Sequence, residues 1–349
     1  MPESWKEDDA EVAGAAPAAE GVLAPGTLID QFRIMRLLAT GGMGELYLAR
    51  DVRLGRKVAL KCVQPSLLGS EEAVGRFLAE ARTTAKFSHP NIVTVYTVGE
   101  HDGKPYLALE YLEGENLRDR LGGDHRGLSL NEALRLLMAV AEALAEAHQH
   151  GVLHRDLKPE NVVIPKDGRV RVVDFGLASR VTEQEEKPEE RLTSASFQST
   201  TLVRIEAPSG RAGTPQYMAP EQWHALECTA QTDVWALGVI LFELCTGQLP
   251  FDEPTMFKQA MAVCGAEPAP RAEAIADVPR EIADLIARCL EKSSDQRPDA
   301  TSVARALRAM VERERVKLSD EESPFRGLLP FGEQHAHLFF GRDAELAAF

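Results

Sequence analysis

Cysteine is scarce in this 349-residue chain, and the five present are scattered. Cys62, Cys228, Cys245, Cys264 and Cys289 form no CxxC pair and no Cys/His cluster at zinc spacing. A disulfide scaffold and a structural zinc site are thereby excluded, and the five read as reduced residues of the core. Positive charge is also in deficit, with 39 Lys and Arg against 54 Asp and Glu and a net charge of −15. A nucleic-acid surface would be basic, so that class of partner is excluded. No apolar run reaches the roughly 18 residues that a membrane span requires. The opening MPESWKEDD is acidic where a secretory signal would be basic and then apolar. These absences point to the cytoplasm. What is plentiful is ordinary: 44% hydrophobic and 27% charged residues, enough for a sizeable core in about one to three domains, with no internal repeat.

Residues 1–27 are rich in Ala, Glu, Pro and Gly and read as a disordered leader. From Leu28 short apolar runs alternate with turns: FRIMRLL, GELYLARD, KVALKCV, IVTVYTVGE and PYLALEYLE. In the third run Val58, Leu60 and Cys62 alternate with Lys57, Ala59 and Lys61, a strand with two usable faces. One helix is expected over about 71–86, capped by Ser70, with Val74, Phe77, Leu78, Ala81 and Ala85 as its apolar stripe. After Gly114 the pattern turns helical. Ser129 and Glu132 suggest a capping box, and Ala133, Leu137, Val140, Leu144 and Ala147 repeat at helical spacing up to a stop at Gly151. Strand-like NVVI and RVRVVDF follow, then a polar, aperiodic stretch at 180–212, then helices from about 219 to 313. A mostly β piece followed by a mostly α piece implies an α+β molecule of two lobes with a cleft between them.

The chemistry-bearing residues come in order. Leu38, Ala39, Gly41, Gly42, Met43, Gly44 and Leu46 belong to a Gly-rich loop between two strands, where backbone N–H groups can approach phosphate oxygens. Lys61 ends VALK, its face-mate Ala59 is small enough to lie under a planar base, and Glu80 on the next helix is its expected ion-pair partner. His154-Arg-Asp-Leu-Lys-Pro-Glu-Asn161 follows a helix, and Asp174-Phe-Gly176 stands farther along.

This order of Gly-rich loop, VAxK, helical Glu, HRDLKPEN, DFG and APE resembles the eukaryotic-type protein kinase superfamily, over residues 28–313. The resemblance implies a bilobal protein kinase-like fold, with a small mostly β lobe at 28–113 and a larger mostly α lobe at 114–313. It implies ATP as nucleotide with Mg²⁺, or Mn²⁺ as an alternative, and protein substrates. On that pattern Asp156 orients or accepts the proton of the substrate hydroxyl and Lys158 neutralises the transferring phosphoryl group. Asn161 and Asp174 carry oxygen ligands for the metal, and Lys61 braced by Glu80 holds the α/β-phosphates. The Glu110 carbonyl and Leu112 amide would meet the adenine edge, with Leu109 behind it. His154 and Phe175 are assigned to packing. Lys158, two residues after Asp156, resembles Ser/Thr rather than Tyr kinases. Thr214, in GTPQYMAPE, sits where the family's Thr contacts the catalytic Asp and Lys at the substrate platform. Glu221 and Arg297 match a buried ion pair, Asp233 matches the central helix, and GGMGE and APEQ resemble bacterial members.

Three departures stand out. Ala39 replaces the usual first glycine of the loop, Leu46 replaces the usual Val, and Thr84 replaces a larger apolar residue one turn after Glu80. The segment between DFG and APE is long and holds Thr193, Ser194, Ser196, Ser199, Thr200 and Thr201. These are candidate autophosphorylation sites, with Arg155 as the expected partner of a phosphate and dimerisation as a route to modification in trans. A pseudokinase scaffold would explain Ala39 and Thr84 but not the retention of Lys61, Glu80, Asp156, Lys158, Asn161 and Asp174. A small-molecule kinase is disfavoured by the GTPQYMAPE platform. The tail 314–349 reads as a linker and the truncated start of a second module. Pro324-Phe-Arg-Gly through Gly341-Arg-Asp-Ala-Glu-Leu346 resembles the opening of STAND-type NTPase modules, without a GxxxxGK[ST] in this chain.

Overall fold

Residues 23–41, 44–63, 88–122, 128–175 and 215–322 (314–322 as backbone), with Val74, Leu78, Ala81 and Ala85, are described by a computed structural model. Period-2 alternation builds the small lobe. Strands β1 (Leu28–Ile29), β2 (Phe32–Gly41), β3 (Gly44–Asp51), β4 (Arg56–Val63), β5 (Val95–His101) and β6 (Lys104–Glu110) form one antiparallel sheet in the order β1-β2-β3-β4-β6-β5. Val58, Leu60 and Cys62 of β4 pack on one face with Phe32, Ile34, Tyr47 and Tyr106. Ala59 and Val63 pack on the other with Leu78, Ala81, Val93, Leu107 and Leu109. Both faces are therefore used: one meets the helical residues Leu78 and Ala81, and the other is filled by large side chains of the sheet itself together with Leu23. Asp102 and Gly103, at φ 50° and 73°, supply the left-handed pair that closes the β5–β6 hairpin.

The large lobe opens with β7 (Gly114–Asn116), α1 (Leu117–Leu121) and α2 (Leu130–Gln149). Strand β8 (Val162–Pro165) pairs with β7 and with β9 (Arg171–Val172) in a small antiparallel sheet. Helices α3 (Pro220–Trp223), α4 (Ala230–Thr246), α5 (Met256–Cys264), α6 (Arg280–Cys289) and α7 (Ala300–Glu322) follow. From Val234 to Phe242 the α4 sequence is apolar all round, so this stretch is buried all round, with Val234, Trp235, Leu237, Val239, Ile240, Leu241 and Phe242 inside. Gly238 lets α6 approach: a Cβ there would lie 2.6 Å from that of Cys289. Gly247 in the left-handed region ends α4, its N–H donating to the Glu243 carbonyl at 2.8 Å.

The α+β two-lobed class is the one expected; three local expectations are corrected. The fold begins before Leu28, because Leu23 is an apolar anchor on the Tyr47 face and its N–H donates to Tyr47 Oη at 3.0 Å. The last helix does not stop near 313 but continues to Glu322. Only half of the capping box forms: Ser129 accepts from the Glu132 N–H, whereas the Glu132 carboxylate turns to Arg120 at 2.8 Å. A guanidinium offers a charge-assisted bond that a backbone amide does not. Of the helix expected over 71–86, Val74, Leu78 and Ala81 are helical, Ala85 lies in a turn with its N–H donating to the Ala81 carbonyl at 3.0 Å, and the remaining members lie outside the described residues. The 324–346 tail lies outside them too. Among the described residues no helix is long and apolar enough to cross a membrane, and the five cysteines are unpaired.

Candidate active site

The loop from His154 to Asn161 is held from below by α4. Asp233, buried in the first turn of that helix, accepts from the backbone N–H groups of His154 at 2.8 Å and Arg155 at 2.7 Å. His148 Nε2 donates to the same carboxylate at 2.8 Å. Burial alone would raise the Asp233 carboxyl, but the bond from His148 and the donated amides hold it below its ordinary value. These bonds support Arg155 at φ 65°, a left-handed conformation a non-glycine residue avoids unless its surroundings hold it.

Above that support the polar side chains converge. Lys158 Nζ donates to Asp156 Oδ2 at 2.8 Å, and Asn161 Nδ2 donates to the Asp156 carbonyl at 2.8 Å. The Asn161 carbonyl accepts from Val173 N–H at 2.9 Å, which places Asp174 beside the loop. Lys61 Nζ reaches across from β4 to Asp174 Oδ1 at 2.7 Å. Burial opposes ionisation of Asp174, yet the Lys61 ammonium, with smaller help from His154 and Lys158, holds its carboxyl below the usual range. His154 is buried, its ring packs on Phe175 at 4.8 Å between centroids, and its Nε2 donates to the Val173 carbonyl at 2.9 Å.

The apolar half of the cleft assembles from four strands and the chain beyond them. Leu46, Ala59, Leu109 and Leu112 belong to one cluster with Val173. Leu46 is paired with Lys61, and Ala59 with Leu109. Leu38 is half-buried and Ala39 and Gly41 are exposed at the end of β2, where Gly41 opposes Gly44. Gly44 has a reason beyond phosphate approach: at φ 137°, a Cβ there would collide with the Cys62 carbonyl. Glu110 and Leu112 lie at the end of β6 and just after it. Behind Leu109 a cavity is lined by Ala81, Val95, Leu107, Asp174 and Phe175.

Glu80, Gly42, Met43, Thr84, Thr214 and the six residues Thr193, Ser194, Ser196, Ser199, Thr200 and Thr201 lie outside the described residues. Sequence reasoning missed Val173 in the apolar slot, although its place beside Asp174 in an apolar run was a usable signal. It also missed a polar knot under the loop. There Arg118 binds Glu160 at 3.1 Å and Glu243 at 2.6 Å, and Tyr217 Oη donates to Glu243 at 2.6 Å. Burial and the Glu243 charge push that phenol far up. Nothing local in the sequence pairs residues so distant.

The sequence profile of the protein kinase domain matches residues 32–307, and the chain belongs to that family. It is 32% identical over 262 residues to the serine/threonine-protein kinase PrkC of Bacillus subtilis, covering 75% of this chain and 37% of that protein. It is 34% identical to PknB of Mycolicibacterium smegmatis, covering 81% of this chain and 43% of that one. It is also 34% identical to pkn3 of Myxococcus xanthus, covering 84% and 52%. The chain thus spans about half or less of the length of these relatives. Among solved structures, the PknI kinase domain of Mycobacterium tuberculosis superposes with a TM-score of 0.62 at 26% identity, covering 82% of this chain and 99% of that one. The family uses ATP and a divalent metal ion.

Proposed function

We propose that this protein is a Ser/Thr protein kinase that transfers the γ-phosphate of ATP to hydroxyls of protein substrates. The observation that carries the reading is the convergence of Asp156, Lys158 and Asn161 from one loop with the Lys61–Asp174 pair at one edge of an apolar slot. Phosphoryl transfer asks mainly for positioning and charge neutralisation, and this set supplies both.

In this reading the slot of Leu46, Ala59, Leu109 and Leu112 takes the adenine ring, and the Glu110 carbonyl and Leu112 amide meet its edge. Leu38, Ala39 and the glycines cover the phosphates, and Lys61, braced by Glu80, binds the α/β-phosphates. Asp156 accepts the proton of the substrate hydroxyl, and Lys158, already 2.8 Å from it, offsets charge on the transferring group. Thr214 is assigned to the substrate platform on the resemblance of GTPQYMAPE alone. Asp174 and Asn161 suit Mg²⁺: a carboxylate and an amide oxygen are hard donors, and such a site takes one or two protein ligands, with phosphates and water completing it. With the Asn161 amide nitrogen engaged by the Asp156 carbonyl, its oxygen is the end left for a cation. When bound, the metal neutralises the phosphate oxygens.

We further propose autophosphorylation within 193–201, in trans through a dimer and ordered by Arg155, a cytoplasmic location, and regulation by a STAND-type module that the 324–346 tail resembles. The test is phosphate incorporation from ATP/Mg²⁺ into the chain and into a generic basic protein, beside Asp156→Asn, with the modified residues mapped. Loss of incorporation by about two to four orders of magnitude in the variant is expected for a proton-handling carboxylate. Equal incorporation by both proteins, or none by either, would sink the reading.

A further inference from the structure

One carboxylate at the lobe junction gathers partners that the catalytic reading does not use. Glu110 ends β6, and its Oε2 accepts from Thr94 N–H at 3.3 Å and from Thr94 Oγ1 at 3.2 Å. The backbone answers in the other direction, with Glu110 N–H donating to the Thr94 carbonyl at 2.9 Å. From the large lobe, Arg171 Nε lies 3.7 Å from the same Oε2. The Arg171 side chain is only 9% exposed, so its charge is shielded from water and depends on the carboxylates around it. Its other nitrogens are occupied on β9's own side, Nη1 by the Arg169 carbonyl at 3.1 Å and Nη2 by Asp167 at 3.6 Å.

Backbone bonds tie the same three segments together. Val93 N–H donates to the Val172 carbonyl at 3.0 Å, and Val172 N–H donates to the Asn91 carbonyl at 2.8 Å. Strand β9 then runs directly into Val173, a wall of the apolar slot, and Asp174. The Glu110 side chain is therefore held by one residue of each lobe, Thr94 and Arg171, next to the peptide that the proposed reading assigns to the adenine edge.

We propose that Arg171 is a positioning residue for nucleotide recognition: through the Glu110 carboxylate it fixes the peptide that meets the adenine edge and keeps it in register with the strand carrying Asp174. The proposal rests on reading the cleft as an ATP site. Its consequence is selective. Releasing Arg171 should weaken contacts to the base while leaving the phosphate and catalytic groups as they were, because those hang from Lys61, Asp233 and the Asp156 loop.

The test compares the full chain with Arg171→Met, Arg171→Lys and Glu110→Gln, measuring kcat and KM for ATP, and the dissociation constants of adenosine and of Mg²⁺–tripolyphosphate. Arg171→Met and Glu110→Gln are expected to raise the KM for ATP and the adenosine Kd by about fivefold, the scale of one lost, partly shielded ion pair. In Arg171→Met tripolyphosphate binding and kcat should stay within about twofold of the parent, the spread of an unperturbed site, and Arg171→Lys should recover part of the loss. If Arg171→Met fails to fold, Thr94→Val and Glu110→Gln report on the same carboxylate. Unchanged adenosine binding, equal weakening of adenosine and tripolyphosphate, or a changed kcat at constant KM would each overturn the proposal. Absence of nucleotide binding by the parent chain would instead overturn the reading of the cleft.

Discussion

Lys61 and Asp174 face each other across the cleft, 113 positions apart in sequence, with Nζ 2.7 Å from Oδ1. The pair joins the strand that carries the apolar slot to the segment that carries the metal-type ligand. It is also the main reason that the Asp174 carboxyl, although partly buried, is held below the ordinary range. Replacing Lys61 with Met should move the Asp174 carboxyl upward, toward or above its ordinary value. A ¹³C-NMR titration of the Asp side chains would show it, and an unmoved Asp174 would mean that another cation sets its charge. Phosphate transfer should fall in the same variant.

The Arg297–Glu221 pair tests the large lobe. The Arg297 guanidinium is fully enclosed and donates to both Glu221 oxygens, at 2.8 and 2.9 Å. Arg297→Ala leaves a buried carboxylate without its cation and should cost about 3–5 kcal/mol. Arg297→Met combined with Glu221→Leu should be less destabilised than Arg297→Ala alone. Urea unfolding of the three variants measures both, and a cost under about 1 kcal/mol for Arg297→Ala, the scale of an exposed pair, would show the pair to be solvated.

Acid stability follows from the same carboxylates. Burial opposes their ionisation, but Asp233 with His148, Glu221 with Arg297 and Asp174 with Lys61 all end below their ordinary values. A carboxyl depressed in the folded chain adds stability that is complete above the unfolded value of about 4 and is lost as pH falls through the folded value. Melting temperature should therefore hold level on the acid side down to about pH 4 and drop steeply below it. Asp233→Asn should lower stability at neutral pH and flatten that acid limb, as read by circular dichroism melts from pH 3 to 7.

The two described glycines of the loop should behave oppositely. Gly44→Ala forces a methyl onto the Cys62 carbonyl at φ 137°, a conformation costing a side chain about 1–3 kcal/mol before the collision is counted. Gly41 has nothing within 4 Å of an added Cβ, so Gly41→Ala should leave the melting temperature nearly unchanged. Thermal melts of both variants check this, and equal destabilisation would place the constraint elsewhere.

Burial should also govern thiol chemistry. Cys62 is pushed up to about 11 by its surroundings, chiefly burial, and Cys289 and Cys245 to about 12. Native-state alkylation at neutral pH should spare all three, and peptide mapping after iodoacetamide treatment would reveal any exception.

Much of this molecule was legible in short stretches of sequence. Alternation over Val58–Cys62 defined a strand with two usable faces, both of which the fold buries, the run DVWALGVILFELCTG was read as helical, and HRDLKPEN and DFG marked where the polar groups would gather. Periods of 2 and 3.6 residues and turn-forming glycines act over a few neighbours, so they can be read along the chain. Partner choice acts between segments and could not be. Glu132 reads as the second half of a cap, yet its carboxylate goes to Arg120. Leu23 reads as the end of a leader, yet it docks on Tyr47. Lys61 meets Asp174, and Asp233 collects the amides of His154 and Arg155, only because the sheet and α4 carry those residues to the same place. Residue types and local geometry were thus determined by the sequence near each position. The pairing of charges was decided by tertiary structure, because desolvation on burial makes each charged group take whatever compensating partner the folded chain brings within reach.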